Sequence, residues 1–158
     1  MATSLDALIR RLNDTKPLSD RESDTLYRQH TDAKIERMLA RGNEAATAAG
    51  FAAFVQSEKR DLAILNQPEA EFRAELRSID NDLDRQVDIV NEGLDTWFEI
   101  GLSVPPYYAW RIAIILAKEK RLGDEKAFLA AWCRHFGHVI GGRYEALADR
   151  ARKRGVTI

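Results

Sequence analysis

Cys133, His135 and His138, in the run WCRHFGH, are the one cluster of soft metal ligands in this 158-residue chain. Zinc needs three or four such groups in a tetrahedral array. Cys133 and His135 stand two apart, on different faces of a helix, and no fourth ligand accompanies them. The spacing predicts a buried cysteine and two histidines near a helix end, with no metal and no cofactor. The acids Asp80, Asp82, Asp84, Asp88, Glu92, Asp95 and Glu99 raise a second possibility, a di-metal or acid–base site. Those from Asp84 onward keep helical spacing and share a flank. Carboxylate sites in bundles pair a Glu with a Glu-x-x-His element, which this sequence lacks, so a solvated acidic flank is expected. Gly137, Gly141 and Gly142 have neither a preceding strand nor a phosphate-binding lysine. No Gly-x-Ser-x-Gly elbow occurs, and the histidines have no paired nucleophile in a local signature. The residues point away from an enzyme.

Charge offers the other chemistry. Net charge is −1, with one cysteine and therefore no internal disulfide. Residues 69–101 hold ten acids and three bases, whereas residues 102–158 hold five acids and eleven bases. Such asymmetry creates faces of opposite sign that steer partners. Near the end, Arg143, Arg150, Arg152, Lys153 and Arg154 form a basic stretch able to neutralise phosphates. Tyr144 is the lone aromatic there, so base stacking has little support, and a basic helix terminus favoured by its own dipole is the competing reading.

The elements that carry these residues all read as helices. No alternation of period two persists beyond a few residues. Leu5, Leu8, Ile9 and Leu12 mark a short helix capped by Ser4. Ser19 with Glu22 forms a capping box opening a second helix towards Gly42, with a thin apolar stripe that predicts a peripheral position. The alanine-rich run 43–67, with Phe51, Phe54, Val55, Leu62 and Leu65, predicts a third helix or a continuation of the second. Asn66 and Pro68 then mark a new start, Asn66 as the cap. From there Phe72, Leu76, Ile79, Leu83, Val87, Val90, Leu94 and Trp97 make a heptad-like seam with one four-residue stutter. This predicts a continuous rod over 69–101, roughly 48 Å long, packed antiparallel on the helix before Pro68. Helices over 105–121, 124–136 and 143–154 follow, the first two joined by a turn at Leu122-Gly123.

Length fits one all-α domain by the prior of about 100–200 residues, with a coiled-coil-like part (1–101) and a second part (102–158). No stretch approaches the roughly 18 apolar residues of a membrane span, and the N-terminus lacks a signal-peptide layout. A cytoplasmic location is the expectation.

The segment PPYYAWRIAIILAKEKRLGDEKAFLAAWCRHFG, residues 105–137, resembles a single tetratricopeptide hairpin. Ile112-Ala113 and Leu116 match packing positions of the family's first helix, Leu122 its turn, and Leu129 and Trp132 its second helix. Glu125 stands where the family prefers alanine. The resemblance implies binding, with Tyr107, Trp110, Ile114 and Lys118 lining a groove for a peptide or partner helix. These aromatics packing on the long rod is the alternative. One unit cannot form a free-standing array, since about three must stack.

The expected function is a non-enzymatic protein-interaction module. It would be an adaptor or a stoichiometric inhibitor, for example a phage-encoded protein directed against host defence. The alternative is a nucleic-acid-associated accessory factor using the basic C-terminal helix. A homodimer through the rods is the expected assembly, because a heptad-like seam also accepts a second copy.

Overall fold

The structure, a computed structural model, describes residues 1–42, 64 and 67–158. These form α1 (Ser4–Asp14), α2 (Asp20–Ala40), α3 (Glu69–Ser78), α4 (Leu83–Ile100), α5 (Pro106–Lys118), α6 (Leu122–Phe136) and α7 (Gly142–Lys153). The fold class is all-α, with no strand among the described residues. The helix expected within 43–67, its packing against the rod and the Asn66 cap lie outside the described residues. No described helix is long and apolar enough to cross a membrane.

Capping explains where several helices begin. Thr3, not Ser4, caps α1: its Oγ1 accepts from Asp6 N at 3.2 Å while the Asp6 carboxylate accepts from Thr3 N at 2.8 Å. A box needs its acid three residues after the cap, and Asp6 stands three after Thr3. Ser4 is thereby released to donate to the Asp84 carboxylate on α4. Ser19 and Glu22 make the expected box at α2, with Ser19 N donating at 2.7 Å and Glu22 N at 3.1 Å. The thin apolar stripe of α2 leaves Ser23 as its one buried residue. At α3, Pro68 itself occupies the cap position.

The continuous rod is corrected to two helices. α3 stops at Ser78, and α4 starts afresh at Leu83 behind an Asp82 cap that accepts from Arg85 N at 3.0 Å. An Asp side chain competes well for the free N–H groups of a helix start. Gln86, fully buried, donates from Nε2 to the Ile79 carbonyl at 2.9 Å, beside the Asp82 N–H that donates to the same oxygen at 2.9 Å, and so ties α4 to the break. The seam persists across the break. Val87, Val90 and Leu94 are fully buried, and Phe72, Leu76, Leu83 and Trp97 pack on the same core.

The expected turn also moves. α5 ends at Lys118, and Leu122 and Gly123 are the first residues of α6. Lys120 takes the left-handed conformation at φ 59°, with Lys120 N donating to Ala117 O and Arg121 N to Leu116 O. That is a Schellman closure with lysine where glycine is usual.

α4 packs on α5, and α6 packs on both α5 and α7, which also touch each other. α1 covers α4 and α6 through Leu5, Leu8 and Leu12, and α2 touches α4. Phe128, Trp132 and Phe136 of α6 fill the centre, with the rings of Trp132 and Phe136 4.4 Å apart. Truncating such a fully buried tryptophan costs about 3–5 kcal/mol. This core holds α5 and α7 side by side.

Candidate partner-binding face

Tyr107, Trp110, Ile114 and Lys118 recur every three or four residues along α5 and fall on one stripe. The first three are half-buried and Lys118 is exposed. Their opposite neighbours, Tyr108, Ile112, Ala113, Ile115 and Leu116, are buried in the core. Leu129 and Trp132 of α6 are buried as well, and Leu122 is exposed.

One end of the stripe is tied to the α3–α4 break. The Tyr107 hydroxyl donates to Asp80 Oδ1 at 3.1 Å, and partial burial, helped by that carboxylate, raises its pKa. Arg111 Nε lies 3.0 Å from the Asp80 carboxylate and also donates to the Asp80 carbonyl. Lys118 Nζ donates to Asn81 Oδ1 at 3.3 Å. The Asp80 carboxylate and Asn81 carboxamide at the break therefore fix the pitch of α5 while leaving its aromatic faces partly open.

The other edge is α7. Arg143 places its guanidinium 5.2 Å from the Tyr107 ring centroid, and Arg150 stands 5.8 Å from that of Trp110. Cations over aromatic faces gain about 0.5–2 kcal/mol. Tyr144 donates its hydroxyl to the Val104 carbonyl, anchoring α7 to the α4–α5 connection, and burial raises its pKa to about 12. Two residue sets read from the sequence as candidates for different functions thus converge on one face.

The basic stretch divides there. Arg150 Nε donates to Oε1 and Arg154 Nε to Oε2 of Glu125, whose side chain is fully buried. Arg152 pairs with Asp149 at 2.9 Å on the outside, and Lys153 is exposed. Glu125, noted in the sequence only as a departure from the tetratricopeptide pattern, is the residue around which this edge is built. Its position gave a signal: it lies four residues before Leu129 and seven before Trp132, in phase with the buried stripe of α6.

The soft-ligand cluster disperses. Cys133 is buried, and burial raises its thiol pKa to about 11. His135 Nε2 meets the Leu12 carbonyl at 2.7 Å, whereas His138 Nε2 lies 3.1 Å from Asp20 Oδ1 on the surface. Among the described residues no group of three or more His, Cys, Asp or Glu side chains converges on one point. Two acids of the α4 flank are engaged by α1, with Ser4 on Asp84 and Arg11 on Asp95 at 2.7 Å.

A polar cleft of about 710 Å³ opens between the start of α1, the α3–α4 break and the α5–α6 turn. Its Asp82 caps α4, its Asp84 holds Ser4, and its Arg121 is bound by Glu119 and Asp124. These groups are committed to structure.

No family model, no curated protein and no solved structure matches this chain.

Proposed function

We propose that this chain is a non-enzymatic protein-interaction module, an adaptor or stoichiometric inhibitor, whose partner lies along the α5–α7 face. One observation carries the reading: the half-open stripe Tyr107–Trp110–Ile114–Lys118 is flanked by the guanidinium groups of Arg143 and Arg150. Aromatic and arginine side chains are the types that dominate protein interfaces, because each offers large contact area and directed donors. The resemblance of residues 105–137 to a tetratricopeptide hairpin supports the same face, since its first helix would line the groove.

The nucleic-acid reading weakens on the ion pairs. Glu125 and Asp149 offset two of the five positive charges of Arg143, Arg150, Arg152, Lys153 and Arg154, so a phosphate backbone meets a smaller surplus than the basic stretch alone provides. Affinity for DNA or RNA scales with the number of phosphates neutralised.

Site-specific photo-crosslinking tests the proposal. A crosslinking residue at Ile114 should trap a protein of defined mass that nuclease treatment does not remove. The same probe at the exposed Arg28 of α2 should not. Equal trapping at both positions, or a product lost to nuclease, sinks the reading.

The seam residues Val87, Val90 and Leu94 are closed by the chain's own helices, so we expect a mass near 17.9 kDa by light scattering at all concentrations. A mass that doubles with concentration would make a second copy the first candidate partner.

A further inference from the structure

We infer that Arg150 and Arg154, pinned by Glu125, form a fork that receives a side-chain carboxylate from the partner. The inference rests on the proposed protein-binding face and names the chemistry at its basic edge.

Glu125 is fully buried, and each of its oxygens is taken by one Nε, Oε1 by Arg150 and Oε2 by Arg154. A guanidinium carries five N–H donors in a rigid plane. Using Nε alone leaves both Nη groups of each arginine. Those Nη nitrogens have no acceptor among the described residues, and none of them is buried without a partner. The two side chains keep 21% and 34% of their surface exposed. The triad is thus two cations on one anion, with a net charge of +1. Arginines held by a buried carboxylate lose little freedom when they bind, which is the condition for a preorganised site.

The anion that fits carries two oxygens in a plane. Carboxylate and phosphate both satisfy a guanidinium bidentately. The surroundings favour the carboxylate of a polypeptide. Arg150 stands over Trp110, so an acidic residue in the fork would place a neighbouring apolar side chain on the Trp110–Ile114 stretch. Asp149 holds the next arginine, Arg152, so a polyanion gains few further contacts.

The test uses the full chain, isotopically labelled, titrated to millimolar concentration with a twelve-residue peptide of Glu-Glu-Leu repeats. The same peptide with Gln for Glu, and a twelve-nucleotide single-stranded DNA, are the comparisons. The Glu peptide should shift the arginine Nε–H and Trp110 indole resonances and bind at least about tenfold more tightly than the Gln peptide, as expected for charge-assisted hydrogen bonds. Arg154→Lys and Arg150→Lys keep a cation for Glu125 but spend their single nitrogen on it. Each should fold, retain binding of the Gln peptide, and lose most of the discrimination. Arg134→Lys, on the exposed side of α6, is the charge control and should change nothing.

Equal affinity for the Glu and Gln peptides overturns the fork while leaving the aromatic face standing. Loss of both peptides on Trp110→Ala, with discrimination intact in wild type, supports fork and face together. Absence of any shift with either peptide overturns both. Tighter binding of the DNA, reduced by the lysine variants, transfers the fork to phosphate and overturns the peptide assignment.

Discussion

Glu125 and His135 lie ten residues apart on α6, both closed to solvent, and their surroundings treat them in opposite ways. Glu125 meets two guanidinium groups that themselves reach the surface. Among the described residues His135 hydrogen-bonds one backbone carbonyl, and its buried Nδ1 has no partner. A carbonyl only accepts, so Nε2 carries the proton and Nδ1 keeps its lone pair. Burial, with a small contribution from Arg134, lowers the His135 pKa against the opposing hydrogen bond to Leu12. One position is arranged around a permanent charge and the other around a neutral ring. An interior accepts an ion when its counterions reach solvent, and otherwise selects the uncharged form.

The largest loss of stability is expected at Glu125. Glu125→Gln leaves two arginines facing each other with no counterion. Fully buried pairs cost about 3–5 kcal/mol on losing one partner. Partial exposure of these arginines reduces this to about 2 kcal/mol. Chemical denaturation should show that loss, and a change under about 0.5 kcal/mol would mean that solvent already screens the triad.

At His135 the effect depends on pH. Its folded pKa lies below the unfolded value near 6.5, so the unfolded chain takes up a proton that the folded chain refuses. The stability it supplies is present above about pH 6.5 and is lost as pH falls from there towards the folded pKa, at up to about 1.4 kcal/mol per pH unit. His135→Gln keeps a donor for Leu12 and removes the titration. The melting curves of wild type and variant should converge between pH 7 and pH 5. A constant gap across that range would show that the ring is protonated where it stands.

Gln86 is the neutral counterpart at the α3–α4 break. Gln86→Met removes one of the two donors to the Ile79 carbonyl while filling similar volume; Asp82 N remains on that oxygen, so the cost should be about 0.5–1 kcal/mol. Smallest of all, Arg152→Gln deletes a surface pair and should change stability by less than about 0.5 kcal/mol. Glu125→Gln should therefore exceed it several-fold in the same assay.

Local chemistry in this chain was legible and remote pairing was not. The Ser19–Glu22 box needed only residues three apart, and the stripe Tyr107–Trp110–Ile114–Lys118 needed only helical spacing. The break at 79–82 was hidden because the apolar spacing from Ile79 to Leu83 stays in helical phase. Asp82 also stands among other acids, so its capping role has no separate signature. Gly123 drew the turn towards itself, although Lys120 is the residue that adopts the left-handed conformation. The fork required Glu125 to meet partners 25 and 29 residues away, which only the packing of α6 against α7 arranges.

Gly101 ends α4 at φ 70°, and a Cβ placed there would sit 2.2 Å from the carbonyl oxygen of Ser23. Ser23 is also the one buried residue of α2, whose remaining length runs on to Ala40. The missing methyl is therefore a fulcrum, and α2 is the arm that turns on it. From Ser23 to Ala40 the arm measures roughly 26 Å at the helical rise. A tilt forced by Gly101→Ala would grow along that length towards its far end. One hydrogen atom at the close of α4 sets where the chain leaves α2.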